Sequence, residues 1–191
     1  NNIADFAVKF PEEIANKECL TVDDVSLNFN QFSVLVISYA KKLKKLNLNK
    51  GDRVGILLFN SIEYLLLMYA SMYAGFVPVN INARYKAKEL NYVLHDSKCK
   101  ILFTSSQSDE VTNFSEIISS VYDSKEGRPE ELIDVYIIGG SKDNRFKNFK
   151  EFESISVDNS FNEEATGSEN DPAFVMYTSG TTSNPKGCPL S

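Results

Sequence analysis

Residues Val54 to Phe59 form an unbroken apolar run of strand length, with Asp52-Arg53 before it and Asn60-Ser61 after it. A strand with one face in water alternates apolar and polar residues. A strand that is apolar at every position is buried on both faces, as in a parallel sheet covered by helices. This segment therefore calls for helices on both sides and for crossovers that return the chain to the same end of the sheet. The flanking sequence supplies them. Ser61 can cap a helix from Ile62 to Ala74, and Gly75 is placed to end it. Phe76 to Val79 is a second short strand, Ala87 to about His95 a helix, and Lys100 to Phe103 a further strand. The alternation continues with a helix over Phe114 to Tyr122, a strand over Val135 to Ile138, a short helix over Phe149 to Ile155 and a last strand over Ala173 to Tyr177. This order predicts an α/β fold with a mostly parallel sheet flanked by helices and right-handed crossovers. Ligands in such sheets bind outside the carboxyl ends of the strands, which directs attention to the residues just after Tyr177.

Upstream of the central run, Ile3, Phe6, Ala7 and Phe10 recur at helical spacing until Pro11. Cys19 to Val22 and Ser26 to Phe29 are strand-like, and Asp23-Asp24 between them reads as the turn of a small hairpin. Asn30 is a candidate N-cap for a long helix with Phe32, Leu35, Tyr39, Leu43 and Leu46 along one stripe. Lys41, Lys42, Lys44 and Lys45 fall beside that stripe, near the C-terminus where positive charge suits the macrodipole. They read as a solvated face. Lys50-Gly51-Asp52 turns the chain, and the acidic stretch from Asp158 to Asp171 reads as a surface loop.

The 191 residues suffice for one core of ordinary size, and 42% hydrophobic with 24% charged residues is a globular mix. A formal net charge of −6 argues against a nucleic-acid surface. Cys19, Cys99 and Cys188 lie far apart, and one histidine cannot complete a Cys/His metal site. Reduced thiols in a cytoplasmic protein are the simplest reading. The longest apolar stretch, Ile62 to Val79, is interrupted by Glu63, Ser71 and Pro78, so no transmembrane segment is expected. No secretory signal is visible in Asn1 to Phe10. A chain that starts at Asn1 rather than Met reads as trimmed, and one that stops at Ser191 reads as continuing.

After the last strand comes Thr178-Ser179-Gly180-Thr181-Thr182-Ser183-Asn184-Pro185-Lys186-Gly187. Its hydroxyls can each donate to a phosphate oxygen, Gly180 lets the backbone approach closely, and Lys186 adds a mobile positive charge. Backbone N–H groups in such a loop can add an anion-binding concavity. The loop is not a Walker A motif. That motif needs a glycine before the lysine and a hydroxyl after it, whereas Pro185 and Gly187 flank Lys186 here. Composition alone would equally suit a Ser/Thr-rich solvent loop ending in a Pro-Lys-Gly turn.

The order Tyr177-Thr178-Ser179-Gly180-Thr181-Thr182, followed by Pro185-Lys186-Gly187, resembles the signature of the adenylate-forming superfamily, which includes acyl-CoA synthetases, luciferases and peptide-synthetase adenylation domains. Other segments are similar in the same order: Phe29 to Phe32, Gly51-Asp52-Arg53-Val54, Phe59-Asn60-Ser61, Ala74 to Asn80, and Glu89-Leu90 with Leu94 and Asp96-Ser97. Gly75 and Pro78 each have a sufficient backbone reason for being there, a helix stop and a rigid strand entrance. His95, beside Asp96 on a helix, reads as a surface residue rather than a base. Ser183 departs from the family's usual glycine, although serine is an accepted variant.

The resemblance implies the first portion of the large N-terminal domain of an adenylate-forming enzyme, ending just after the phosphate loop at 178–187. It implies an acid–thiol ligase that takes a carboxylic acid, ATP and coenzyme A, with Mg2+ bridging the phosphates. Thr178, Ser179, Gly180, Thr181, Thr182, Ser183, Lys186 and Gly187 become the nucleotide-binding candidates, with Thr178 also helping to place the metal. It leaves room for a homodimer. The remaining catalytic set is expected downstream, so this segment alone is expected to be inactive, with an uncovered apolar face. Two other readings stay open: adenylation for a carrier protein or another acceptor, and a nucleotide-binding module without catalysis.

Overall fold

A computed structural model of the chain describes residues 3–106, 113–158, 166, 171–178 and 184–190. The chain opens with 3-10 turns at Ile3–Ala7 and Glu12–Ile14. A hairpin of β1 (Glu18–Val22) and β2 (Val25–Asn28) comes next, with Asp23 at φ 51° in its turn. The expected first helix is thus only a short 3-10 segment, and Phe6 stands 74% exposed.

Helix α1 (Phe29–Lys44) is capped two residues before the Asn30 that the sequence suggests. The cap is Asn28: its side chain accepts from the Gln31 N–H at 2.8 Å, while the Gln31 side chain accepts from the Asn28 N–H at 2.9 Å. This reciprocal capping box satisfies two otherwise orphan donors, and Asn30 has no such partner three residues on. The lysine run is not uniformly the solvated face expected: Lys45, the C-cap of α1, is exposed, but Lys41 is not. Lys41 is buried and donates to the Asp158 carboxylate at 2.7 Å and carbonyl at 3.0 Å. Lys42 and Lys45 donate to the carbonyls of Glu153 and Ser156. They tie down the segment that leaves the last helix.

From β3 (Arg53–Leu57) the chain winds through α2 (Ile62–Tyr73), β4 (Val77–Asn80), α3 (Ala87–Ser97), β5 (Cys99–Ser105), α4 (Phe114–Tyr122), β6 (Asp134–Ile138), β7 (Lys147–Asn148) and α5 (Phe149–Glu153). It then forms β8 (Phe174–Thr178) and β9 (Lys186–Leu190). The sheet order is β7-β6-β5-β3-β4-β8-β9, parallel throughout except for the antiparallel β8–β9 pair. As the apolar run demands, β3 is central, with Val54, Ile56 and Leu57 fully buried. One core lies between the sheet and α1, α2 and α5, and includes the ring cluster Tyr39, Phe103, Tyr136, Phe149 and Phe152. The other packs α3 and α4 on the opposite face, around Leu90, Leu94, Leu102, Ile118 and Val135.

Helix α2 ends as expected. Ser61 accepts from the Tyr64 N–H at 3.1 Å. Gly75 (φ 83°) closes a Schellman turn, with Phe76 N bonded to Ser71 O at 2.8 Å and Gly75 N to Met72 O at 3.1 Å. Thr166 Oγ1 lies 3.0 Å from where a Cβ on Gly75 would stand, so a side chain there would meet both strain and a neighbour.

Candidate functional site

The strand order reverses around β3, because the chain steps to β4 and then crosses back to β5. Such reversal points are the usual ligand crevice of open α/β sheets. Here side chains occupy that boundary. Phe59, after β3, and Phe114, at the start of α4, bring their ring centroids within 5.4 Å. Thr104 Oγ1 donates to Leu57 O at 2.9 Å between the same two strands. The open spaces at the carboxyl edge lie to either side.

On the β4 side is a cleft of about 530 Å³, formed by the residues after β3, residues 80–84 after β4, and Met176 and Tyr177 of β8. Among the described residues no carboxylate lines it and Arg84 is the one cation, so its field suits an anionic or neutral ligand. Asn80, 9% exposed, places a buried amide oxygen there with no hydrogen-bond partner among the described residues. A larger groove of about 1060 Å³ lies at the ends of β5 to β7, but three carboxylates, Glu116, Asp143 and Glu151, line it against one lysine, Lys142. A polyphosphate is repelled by such a lining, so the smaller cleft is the better candidate site.

Of the signature residues, Tyr177 and Thr178 end β8 and Lys186 and Gly187 open β9, at the edge of this cleft. Its register pairs Phe174 with Leu190, Met176 with Cys188, Tyr177 with Gly187, and Thr178 with Lys186. Directly opposed residues on antiparallel strands share a face, and successive residues alternate. Thr178 and Lys186 are therefore neighbours on one face, both exposed, although far apart in sequence. Gly187 lies on the other face against the Tyr177 ring: a Cβ there would stand 3.1 Å from Cζ and 3.3 Å from the hydroxyl. Ser179, Gly180, Thr181, Thr182 and Ser183 lie outside the described residues.

Sequence reasoning did not single out the groups that hold Tyr177. Its hydroxyl donates to Asp96 Oδ2 at 2.6 Å, and its carbonyl accepts from the Tyr85 hydroxyl at 3.0 Å. Burial, and then the Asp96 carboxylate, push the Tyr177 phenol far above its usual range, so it stays a donor at any physiological pH. Asp96 could have been noticed from sequence as a carboxylate at a helix C-terminus, where the macrodipole disfavours it. His95, expected on the surface, is only half-exposed: Nδ1 lies 2.8 Å from Asn91 O on the preceding turn, and the residue does not line the cleft.

Burial holds the Cys99 thiol up at about 11, which leaves it unreactive, and none of the three cysteines is in a disulfide. Among the described residues no group of three His, Cys, Asp or Glu side chains could hold a metal ion, and no helix is long and apolar enough to cross a membrane.

Comparison with known proteins places this geometry. The long-chain-fatty-acid–CoA ligase FadD13 of Mycobacterium tuberculosis is 32% identical over 164 residues, covering 86% of this chain and 29% of that protein. The mitochondrial medium-chain acyl-CoA ligase ACSF2 of Pongo abelii is 31% identical, covering 94% and 32%. Among solved structures, an anthranilate CoA ligase, AuaEII, in complex with anthranoyl-AMP superposes with a TM-score of 0.83 at 26% identity, over 99% of this chain and 34% of that one. The N-terminal domain of FACL13 from Mycobacterium tuberculosis gives a TM-score of 0.70 at 29% identity, over 87% and 37%. The chain thus spans about a third of the length of the curated relatives it matches. The family profile described as AMP-binding enzyme matches residues 4–191, nearly the whole chain, and the protein belongs to that family.

Proposed function

We propose that this chain is the opening part of an acyl-CoA ligase. Such an enzyme joins a carboxylate oxygen to the α-phosphorus of ATP, releases pyrophosphate, and then passes the acyl group from AMP to the sulfur of coenzyme A. The observation that carries the reading is the Thr178–Lys186 pairing at the carboxyl edge of the sheet, beside a cleft whose described lining holds no carboxylate. In it, Thr178, Ser179, Thr181 and Thr182 offer hydroxyl donors to the β- and γ-phosphates. Gly187 seats the hairpin against the Tyr177 ring. Lys186 adds a charge that counters the negative charge gathering on the leaving pyrophosphate. Little covalent help is needed in this step, so holding the phosphates in line with the acid does most of the work.

Thr178, the one metal-binding candidate, is exposed and offers a single hydroxyl. That hydroxyl would help to hold a magnesium ion bound chiefly through the phosphates of the nucleotide, which would supply positive charge there. The free thiols suit a reducing compartment such as the cytoplasm. CoA is the acceptor favoured over a carrier protein, because the named relatives are CoA ligases.

The test is carboxylate-dependent ATP–pyrophosphate exchange by the full-length protein, with short, medium, long and aromatic acids. Exchange should appear with one class of acid. It should fall at least about 100-fold in Lys186→Ala and about tenfold in Thr182→Ala, as expected for loss of an ionic and of a neutral transition-state contact. ATP binding without exchange for any acid would leave a non-catalytic nucleotide module as the better account.

A further inference from the structure

The hairpin that carries Thr178 and Lys186 is weakly joined to the sheet. Strand β8 pairs with β4 only at Val79–Val175 and Asn80–Met176, so the ladder ends before Tyr177. Strand β9 pairs with β8 alone and is exposed along its length. Main-chain pairing therefore does not fix the mouth of the loop relative to the cleft. Side chains do. Tyr177, 6% exposed, sends its hydroxyl to Asp96 at the end of α3, and its carbonyl is gripped by the buried Tyr85 just before that helix. Tyr92 Oη reaches the other oxygen of Asp96 at 3.4 Å. On its far side the Tyr177 ring rests on Gly187, where no side chain fits without a shift. Asp96 sits against the negative end of α3, a place that costs stability unless the carboxylate has a partner elsewhere.

We infer that Tyr85, Asp96 and Tyr177 form a positioning pin that sets the separation and tilt of Thr178 and Lys186, and so governs affinity for the polyphosphate of a nucleotide. The pin touches no substrate. It works through the next residue of β8 and that residue's cross-strand partner. The nature of the ligand rests on the adenylation reading.

The experiment uses full-length protein, with ATP as the probe, in two readouts: calorimetric ATP binding and the ATP and acid KM values of pyrophosphate exchange. Tyr177→Phe keeps the ring on Gly187 and removes only the donor. Asp96→Asn keeps the shape and weakens the acceptor. Each should weaken ATP binding and raise the ATP KM about three- to tenfold, the span of one hydrogen bond to a charged group. The acid KM should stay within about twofold, because uniform loss of fold would not split the two constants. The double variant should be no weaker than the worse single one, the signature of one shared interaction. An unchanged ATP dissociation constant in both folded variants overturns the pin, as does a parallel loss in both KM values. Binding without exchange in the wild type sinks the adenylation reading, yet still judges the pin by the dissociation constants. A wild type that binds no ATP overturns both.

Discussion

Lys41 is the residue whose role differs most from what its neighbours suggest. Four lysines in five positions look like a solvated helix end, yet this one is 6% exposed and bonded twice to Asp158. Its partner is more than 100 positions away, so no local pattern could reveal the contact. Lys41→Ala should loosen residues 153–158 by about 1–3 kcal/mol, the cost of losing hydrogen bonds from a charged group. Hydrogen exchange of that segment is the measurement. Unchanged protection in Lys41→Ala would mean that Lys42 and Lys45 alone hold it. A second residue-scale prediction concerns pH. Hydrogen bonds from Arg145 hold the Asp143 carboxyl well below the usual carboxylate range, with further help from Ser119. A group with a depressed folded value contributes stability above its unfolded value near 4, and that contribution fades as pH falls toward the folded one. Asp143→Asn should therefore lower stability by a roughly constant amount from about pH 4 upward, alkaline pH included, and converge on wild type as pH falls below that. A variant curve parallel to wild type throughout would remove this role.

Among the elements, those with their own periodicity were readable. Strand β3 announced itself by being apolar throughout, and α2 by a serine at one end and a glycine at the other. Helix α1 was readable except for its first turn, where two asparagines compete. The one with a glutamine three positions later is the cap, so capping-box spacing, rather than residue type, would have decided it. Asn28→Ala should cost about 1 kcal/mol, and Asn30→Ala only a few tenths, in equilibrium unfolding of the full-length protein. Strands β7 and β9 were not readable at all. The first has two residues, and the second contains Gly187 and Pro189, both poor in strands; each exists because a neighbour supplies the ladder. The loop's chemistry was legible in residue order. Its support was not, since Tyr85 and Asp96 approach Tyr177 only after α3 has packed on the sheet.

Across the whole molecule, strand order explains where ligand space remains. Aromatic rings occupy the reversal point at β3–β5, and the open space that suits an anion lies between β4 and β8. The sheet is also finished unevenly. Helices cover both faces of its centre, whereas Met176 and Leu190 near the β9 edge are 43% and 46% exposed. An open edge beside exposed apolar side chains is an association hazard. The 191-residue segment expressed alone should bind ANS and self-associate, and a monodisperse, cooperatively unfolding preparation would show that this surface needs no cover.

The antiparallel register of β8 and β9 also imposes a rule of parity on sequence change. Residues between Thr178 and Lys186 bridge two strand ends that are already in place, so the bridge can gain or lose a residue while both ends keep their faces. A single residue inserted just after Lys186, with the rest of β9 held in place, takes the lysine's position opposite Thr178 and turns the lysine to the other face, the one on which Gly187 meets the Tyr177 ring. Length is thus negotiable within the loop and quantised in twos beside it. Homologous sequences that align across the serines and threonines with gaps should still keep the step from lysine to strand intact.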